Sequence, residues 1–152
     1  MRRAALEMPA EQALLRPVLR GLIRLRWASQ MSPAAAEVPW HEKRIDLVVA
    51  PTGGLTLAFE LKVSDWGRAI SQAYVNRWVA DQSWVVVWHS RVTPRSADAA
   101  QDAGVGLMIV TRDTVYPLVR PDAPVASLPA AGPIHDVLAI RRTRMRDLLG
   151  SL

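Results

Sequence analysis

Residues 44–63 read R-I-D-L-V-V-A-P-T-G-G-L-T-L-A-F-E-L-K-V, and this stretch limits the fold more than any other. Two apolar runs flank Pro51-Thr52-Gly53-Gly54, the pattern of two strands joined by a glycine-bearing turn. Strand side chains alternate between faces. Leu55, Leu57, Phe59, Leu61 and Val63 are therefore expected on one face, and Thr56, Ala58, Glu60, Lys62 and Ser64 on the other. In the first strand Ile45, Leu47 and Val49 share a face, and Arg44, Asp46, Val48 and Ala50 share the opposite one. A closing loop of Thr52-Gly53-Gly54 sets Asp46 directly across from Glu60, with Cβ atoms ~5 Å apart.

Two carboxylates facing each other across a ladder repel, so a compensating charge is expected. A hard divalent cation such as Mg²⁺ suits the pair, because it takes oxygen ligands and often only one or two carboxylates plus substrate phosphate. Lys62, two residues beyond Glu60, is expected to point into the same space. There it would orient or deprotonate an attacking water, or offset charge building on a phosphate. An exposed hairpin face with ordinary surface charges is the alternative. The chain contains seventeen arginines and two lysines, Lys43 and Lys62. A lysine at position 62 of so arginine-rich a chain suggests that a compact ammonium on a flexible stem is wanted there.

The 152 residues are enough for one domain with a real core, and half of them are apolar. The formal net charge of +5 favours an anionic partner, nucleic acid first. Cysteine is absent, which excludes disulfides and cysteine-ligated metals. Met1-Arg2-Arg3 imitates the start of a signal peptide, but Glu7 and Glu11 interrupt any apolar segment. No apolar run approaches ~20 residues, so no membrane span and a cytoplasmic location are expected.

Residues 10–28 read as helical, with Leu15, Val18, Leu19, Leu22 and Ile23 as an apolar stripe. Pro17 either kinks this segment or opens its second part. Arg16, Arg20 and Arg24 recur at four-residue spacing, either tracking phosphates or forming a solvated face. Glu37-Val38-Pro39-Trp40 reads as a short first strand, followed by a turn through His41-Glu42-Lys43. After Val63, Ser64 or Asp65 caps a helix running to about Ala80. Trp66, Ile70, Tyr74 and Trp78 form its apolar row, Ala69 and Ala73 allow close packing, and Arg68 and Gln72 share a more polar face. Because this helix leaves directly from the Glu60 strand, Gln72 is a candidate to bind a phosphate or a metal-bound water; a surface glutamine is the alternative. Ser83–Trp88 is an apolar run suited to a strand covered on both faces. Pro94–Ala103 is a short helix closed by Gly104, and Val105–Val110 a further buried strand. Val115–Val119 is a last strand that Pro117 marks as an edge. Residues 1–120 thus form the core and residues 121–133 a Pro/Ala-rich linker. Residues 134–152 form a basic terminal helix in which Arg141, Arg142, Arg144 and Arg146 are either a nucleic-acid arm or a solvated tail.

Strand–helix–strand crossovers after residue 63 imply parallel pairing, and the hairpin before it is antiparallel. The expected fold is α/β, a three-layer α-β-α arrangement around a central mixed sheet. Element order and motif together resemble the PD-(D/E)XK nuclease superfamily, with its restriction-endonuclease-like fold, over roughly residues 10–120. Arg44-Ile45-Asp46-Leu47-Val48-Val49, Phe59-Glu60-Leu61-Lys62 and the helix with Gln72 carry the likeness. The resemblance implies a deoxyribonuclease in which Asp46, Glu60 and the Leu61 carbonyl bind Mg²⁺ or Mn²⁺. Lys62 would serve the attacking water, and Gln72 would act as the helix glutamine of several branches. It also implies an acidic residue upstream, with Glu37 the first choice, Glu11 next and Glu42 a further candidate. Water would attack phosphorus in line and leave a 5′-phosphate, and many relatives dimerise. Arg44, Arg68, Arg16, Arg20, Arg24, Arg141 and Arg142 are the candidate nucleic-acid contacts.

The chain departs from the family pattern at Ile45, where proline is common, and at Asn76, where RecB-type exonucleases carry tyrosine. No base-reading element of a sequence-specific restriction enzyme can be singled out. His41, His89 and His135 lack zinc spacing, and Gly53-Gly54 lacks the P-loop lysine. A non-catalytic nucleic-acid- or protein-binding module on the same fold is the competing class. In that class Trp27 and Trp40 are the candidates for base stacking, since Trp66, Trp78, Trp84 and Trp88 sit on core-like patterns.

Overall fold

The computed structural model describes residues 10–40, 42–51, 55–112, 114–124, 134, 137, 138 and 141–152. The Thr52-Gly53-Gly54 loop, His41, His135, the first residues and most of the 121–133 stretch lie outside the described residues. Six strands form one mixed sheet whose spatial order follows chain order. They are β1 (Ala34–Trp40), β2 (Lys43–Val49), β3 (Leu57–Lys62), β4 (Gln82–Trp88), β5 (Gly106–Val110) and β6 (Val115–Val119). β1–β2, β2–β3 and β5–β6 pair antiparallel, while β3–β4 and β4–β5 pair parallel. The parallel crossovers are made by α2 (Trp66–Asn76) and α3 (Pro94–Ala103). A 3-10 turn over Glu11–Leu14 leads into α1 (Leu15–Arg24), and α4 (Met145–Gly150) is the last element described.

Helices cover both faces. Val18, Leu19 and Leu22 of α1 and Met145 of α4 pack on Leu47, Val49, Leu57, Phe59, Leu61, Trp84 and Val86. Ala69, Ile70 and Ala73 of α2 and Ala100 of α3 pack on Val85, Val87 and Leu107. Neighbouring residues of β4 thus serve opposite cores, which is why its sequence is apolar throughout. Gly106 stands beside Trp84 in the β4–β5 register, and an added Cβ would fall inside van der Waals contact with the indole ring. Gly106→Ala is therefore expected to cost about 1–3 kcal/mol of stability by overpacking, read as a lowered midpoint in urea unfolding.

Local signals account for several boundaries. Asp65 caps α2 by accepting the Arg68 amide at 3.2 Å. Thr93 caps α3 with Ser96 in a reciprocal box, Pro94 opens it and Gly104 closes it at φ 71°. Other boundaries differ from the sequence expectation. The helix expected over 10–28 ends at Arg24, because Arg26 turns left-handed at φ 61° and the Trp27 amide bonds back to the Leu22 carbonyl at 2.9 Å. Pro17 sits in the first turn of α1, where its missing N–H costs nothing. β1 begins at Ala34, three residues earlier than expected. α2 ends at Asn76 and not near Ala80, with the Asn76 carbonyl accepting from both Val79 and Ala80.

The single terminal helix expected over 134–149 is interrupted. Ile134, Val137, Leu138 and Arg141 are helical, Arg142 turns left-handed at φ 52°, and α4 starts afresh at Met145. The intervening residues lie along the outer edge of β1. The Ala34 amide donates to the Thr143 carbonyl at 3.1 Å, Arg141 donates to the Ala36 carbonyl at 2.8 Å, and Pro33 bridges Arg144. The start of that edge is covered, whereas β6 leaves Tyr116 and Leu118 exposed around Pro117 at the other edge.

Candidate active site

The β2–β3 rungs Leu47–Phe59, Val48–Ala58 and Val49–Leu57 set Asp46 opposite Glu60 at the next position. The Leu61 amide points toward β2 and is accepted there by Asp46 Oδ2 at 2.8 Å. In a regular ladder it would meet the Ile45 carbonyl. The Asp46 side chain thus takes the place of a rung where the hairpin pairing ends. Since a strand residue projects its N–H and C=O to the same neighbour, the Leu61 carbonyl faces the same opening.

A second irregularity coincides with this one. The β1–β2 rungs run Ala36–Leu47 and then Val38–Ile45, which leaves Glu37 across from Asp46. Glu37 has φ 50°, a left-handed conformation that costs a non-glycine residue about 1–3 kcal/mol. Alternation reverses here in both strands. Ala35, Val38, Ile45 and Val48 belong to one core, while Leu47 and Val49 belong to the core under α1. Ile45 therefore does not share a face with Leu47 and Val49, contrary to strict alternation. The reversal turns Asp46 and Glu37 into a cleft of about 390 Å³, lined also by Glu11, Leu15, Leu61 and Leu152. Both of the first two upstream acidic candidates, Glu37 and Glu11, line the cleft that Asp46 lines, and Glu42 is exposed at the β1–β2 turn.

Glu60 is 2% exposed. Its Oε1 accepts the Asn76 amide at 2.8 Å. Burial, then the negative charge of Asp46 and a hydrogen bond between the two carboxyls, push its pKa up to about 8; Asn76 and Lys43 pull against that shift. At neutral pH the pair carries a retained proton. The ammonium acting on Glu60 is that of Lys43, whose Nζ donates to the Gln72 main-chain carbonyl at 3.0 Å and whose pKa is lowered by burial. Lys62 Nζ instead lies 3.5 Å from Glu11 Oε1, turned toward the cleft and not toward Glu60. Both lysines of the chain thus meet this site from different sides.

Lys43 and Asn76 are the residues that sequence reasoning missed. Residue order places Lys43 in a turn, and Asn76 enters only as a departure from a family pattern. The scarcity of lysine was a usable signal for both ammonium groups. Lys43→Met leaves the Gln72 carbonyl without this donor and is expected to lower stability by about 1 kcal/mol. An unchanged denaturant midpoint would mean that the ammonium contributes no net bond.

The remaining candidates divide. Gln72 is half-buried and its side-chain Oε1 is buried without a hydrogen-bond partner, as is Asn76 Oδ1 one turn later. Arg44 pairs with Glu37 at 3.9 Å, both well exposed. Arg68, Arg20 and Arg24 are exposed, and Arg16 donates to the Leu152 carbonyl. Arg141 is engaged with β1 as described, so it is a clamp and not part of a free arm, while Arg142 is exposed. Trp27 lies 5.1 Å from Trp84 between ring centroids and is half-buried, and Trp40 packs against the core beside Val38. Neither stands free as expected. The exposed tryptophan is Trp78, at 49%: α2 buries Ala69, Ile70, Ala73 and Asn76 with Trp66 packed beside them, and of the expected row Tyr74 and Trp78 face outward.

Among the described residues no three His, Asp or Glu side chains gather closely enough to hold a metal. An ion here would rest on two carboxylates and a main-chain carbonyl, with water or phosphate completing its shell. That donor set suits Mg²⁺, which keeps several waters and needs few protein ligands. Asp46 sits beside the buried carboxyl of Glu60 at the end of the ladder, an arrangement of two acidic groups whose repulsion a cation would offset.

No family model and no curated protein matches the chain. A solved protein of unknown function from Silicibacter pomeroyi is similar in fold, with a TM-score of 0.63 over 90% of each chain and 20% sequence identity. No helix of the described residues is long and apolar enough to cross a membrane.

Proposed function

We propose that the chain hydrolyses phosphodiester bonds in nucleic acid, DNA before RNA, as a restriction-endonuclease-like enzyme that uses Mg²⁺ or Mn²⁺. The observation that carries this reading is the meeting of Asp46, buried Glu60 and the Leu61 carbonyl at the point where the hairpin ladder stops. Asp46, Glu60 and the Leu61 carbonyl would hold the ion, with Glu37 across the cleft from Asp46. When bound, it would polarise the phosphate and lower the pKa of water. Asn76 fixes the Glu60 carboxyl. Lys62, tethered by Glu11, carries an ammonium at the cleft suited to orienting a water or offsetting charge on a phosphate oxygen. Water oxygen would bond to phosphorus as the opposite ester P–O bond breaks, with the departing oxygen taking up a proton.

A binding module without cleavage is the second reading. It is favoured by the pairing of Lys62 with Glu11 and by the burial of Glu60 against Asn76. Incubation with labelled single-stranded, duplex and branched DNA and with RNA, in Mg²⁺, Mn²⁺ or EDTA, separates the two. Cleavage in either metal that stops in EDTA supports hydrolysis, and a mobility shift without products supports the module.

A further inference from the structure

The outward stripe of α2 consists of Gly67, Ser71, Tyr74, Val75 and, just past its end, Trp78. None of these is charged, which is unusual for the solvent face of a surface helix. Tyr74, Val75 and Trp78 are 44%, 47% and 49% exposed. Tyr74 and Trp78 meet edge to face, with centroids 5.1 Å apart and planes at 70°. Arginines border this apolar strip on both sides. Arg68 is exposed at one border. At the other, Arg77 is anchored on the Ala103 carbonyl at 2.9 Å and lies 5.7 Å from the Tyr74 ring centre.

We infer that this face of α2 is a stacking platform for a single nucleic-acid strand, an inference that rests on reading the chain as one that handles nucleic acid. Aromatic rings accept the π-face of any base, and flanking guanidiniums meet the phosphates. Only an unpaired strand offers free base faces, so the platform selects single-stranded segments. Charge argues against a second copy of the chain as the occupant. Packing this face on itself would bring Arg68 and Arg77 together with their own counterparts around a small apolar contact. Asn76, between Tyr74 and Trp78 in sequence, points inward to Glu60, so the platform occupies the side of α2 turned away from that carboxyl.

The test measures fluorescence anisotropy of labelled single-stranded and duplex oligonucleotides in EDTA, with sedimentation velocity on the same proteins. Trp78→Ala is expected to weaken single-strand binding about tenfold. Trp78→Phe, which keeps a ring, is expected to stay near wild type, and Trp78→Leu, apolar but without one, to behave like the alanine variant. Duplex binding is expected to change little. Unaltered single-strand affinity in Trp78→Ala, or wild-type affinity in Trp78→Leu, would overturn the platform. So would a wild-type dimer that Trp78→Ala dissociates without any loss of strand binding, which assigns the face to a second copy. Because EDTA prevents cleavage, a chain that binds strands through Trp78 yet never cuts refutes hydrolysis alone. One that binds no nucleic acid refutes both.

Discussion

Asp46→Asn is expected to lower metal-dependent cleavage by roughly a hundred- to thousandfold or more while leaving the fold intact. The amide keeps an acceptor for the Leu61 N–H that Asp46 Oδ2 now bonds at 2.8 Å, so the end of the ladder stays closed. What is lost is one of the two charges that would hold the ion, together with the repulsion that raises Glu60. The check pairs single-turnover cleavage with thermal unfolding. Cleavage that survives in a folded Asp46→Asn protein would remove the carboxylate pair from the chemistry. Lys62→Met, tested alongside, separates the role of the ammonium from that of the carboxylates.

The second large effect concerns stability and pH. The Glu60 carboxyl ordinarily titrates near 4.5 and in the folded chain near 8. The metal-free folded state therefore keeps a proton that the unfolded chain releases. The stability associated with that proton is fully present below about pH 4.5 and is lost as pH rises through about 8. The slope is at most about 1.4 kcal/mol per pH unit, and it belongs to the Asp46–Glu60 pair as a unit. Glu60→Gln retains an oxygen for Asn76 and has nothing to ionise. It is expected to exceed wild type in stability without metal, by a margin that widens from pH 5 to pH 8. Denaturant unfolding across that range is the measurement, and parallel curves for the two proteins would contradict the retained proton. Mg²⁺ is expected to stabilise wild type more at pH 8 than at pH 6, and to do little for the variant.

Much of this hairpin could be read from residue order. The glycines near its centre and the alternation of Leu57, Phe59 and Leu61 fixed which residues lie opposite which, and the rungs follow that register. The apolar run of β4, the Gly104 end of α3 and the edge position of Pro117 were equally legible. Each is set by local chemistry: turn geometry, capping hydrogen bonds, a missing N–H.

The rest depends on tertiary packing. No residue type announces the reversal at Glu37 and Asp46, because Glu37 adopts a left-handed φ without being glycine. The face that α2 buries was legible in part: Ala69, Ile70 and Ala73 pack inward as expected, and Tyr74 and Trp78 do not. Tyr74 and Trp78 offer more apolar area, yet Ala69 and Ala73 let the helix come close to the sheet, and Asn76 finds a buried carboxyl to bond. The terminal arginines read equally as an arm or a solvated tail, because charge was all that sequence displayed. Arg141 and Arg144 donate to the main-chain carbonyls of Ala36 and Met31, more than a hundred positions earlier.

That separation bears on how the protein is made. Arg141 reaches Ala36 across 105 residues, and Thr143 reaches Ala34 across 109. A ribosome would thus deliver β1 long before the segment that covers the start of its outer edge emerged. Through that interval the strand bearing Glu37 would lie bare to neighbouring nascent chains. That segment would then do two things at once, shielding the start of the ribbon from stray partners and bringing Leu152 to the wall of the acidic cleft.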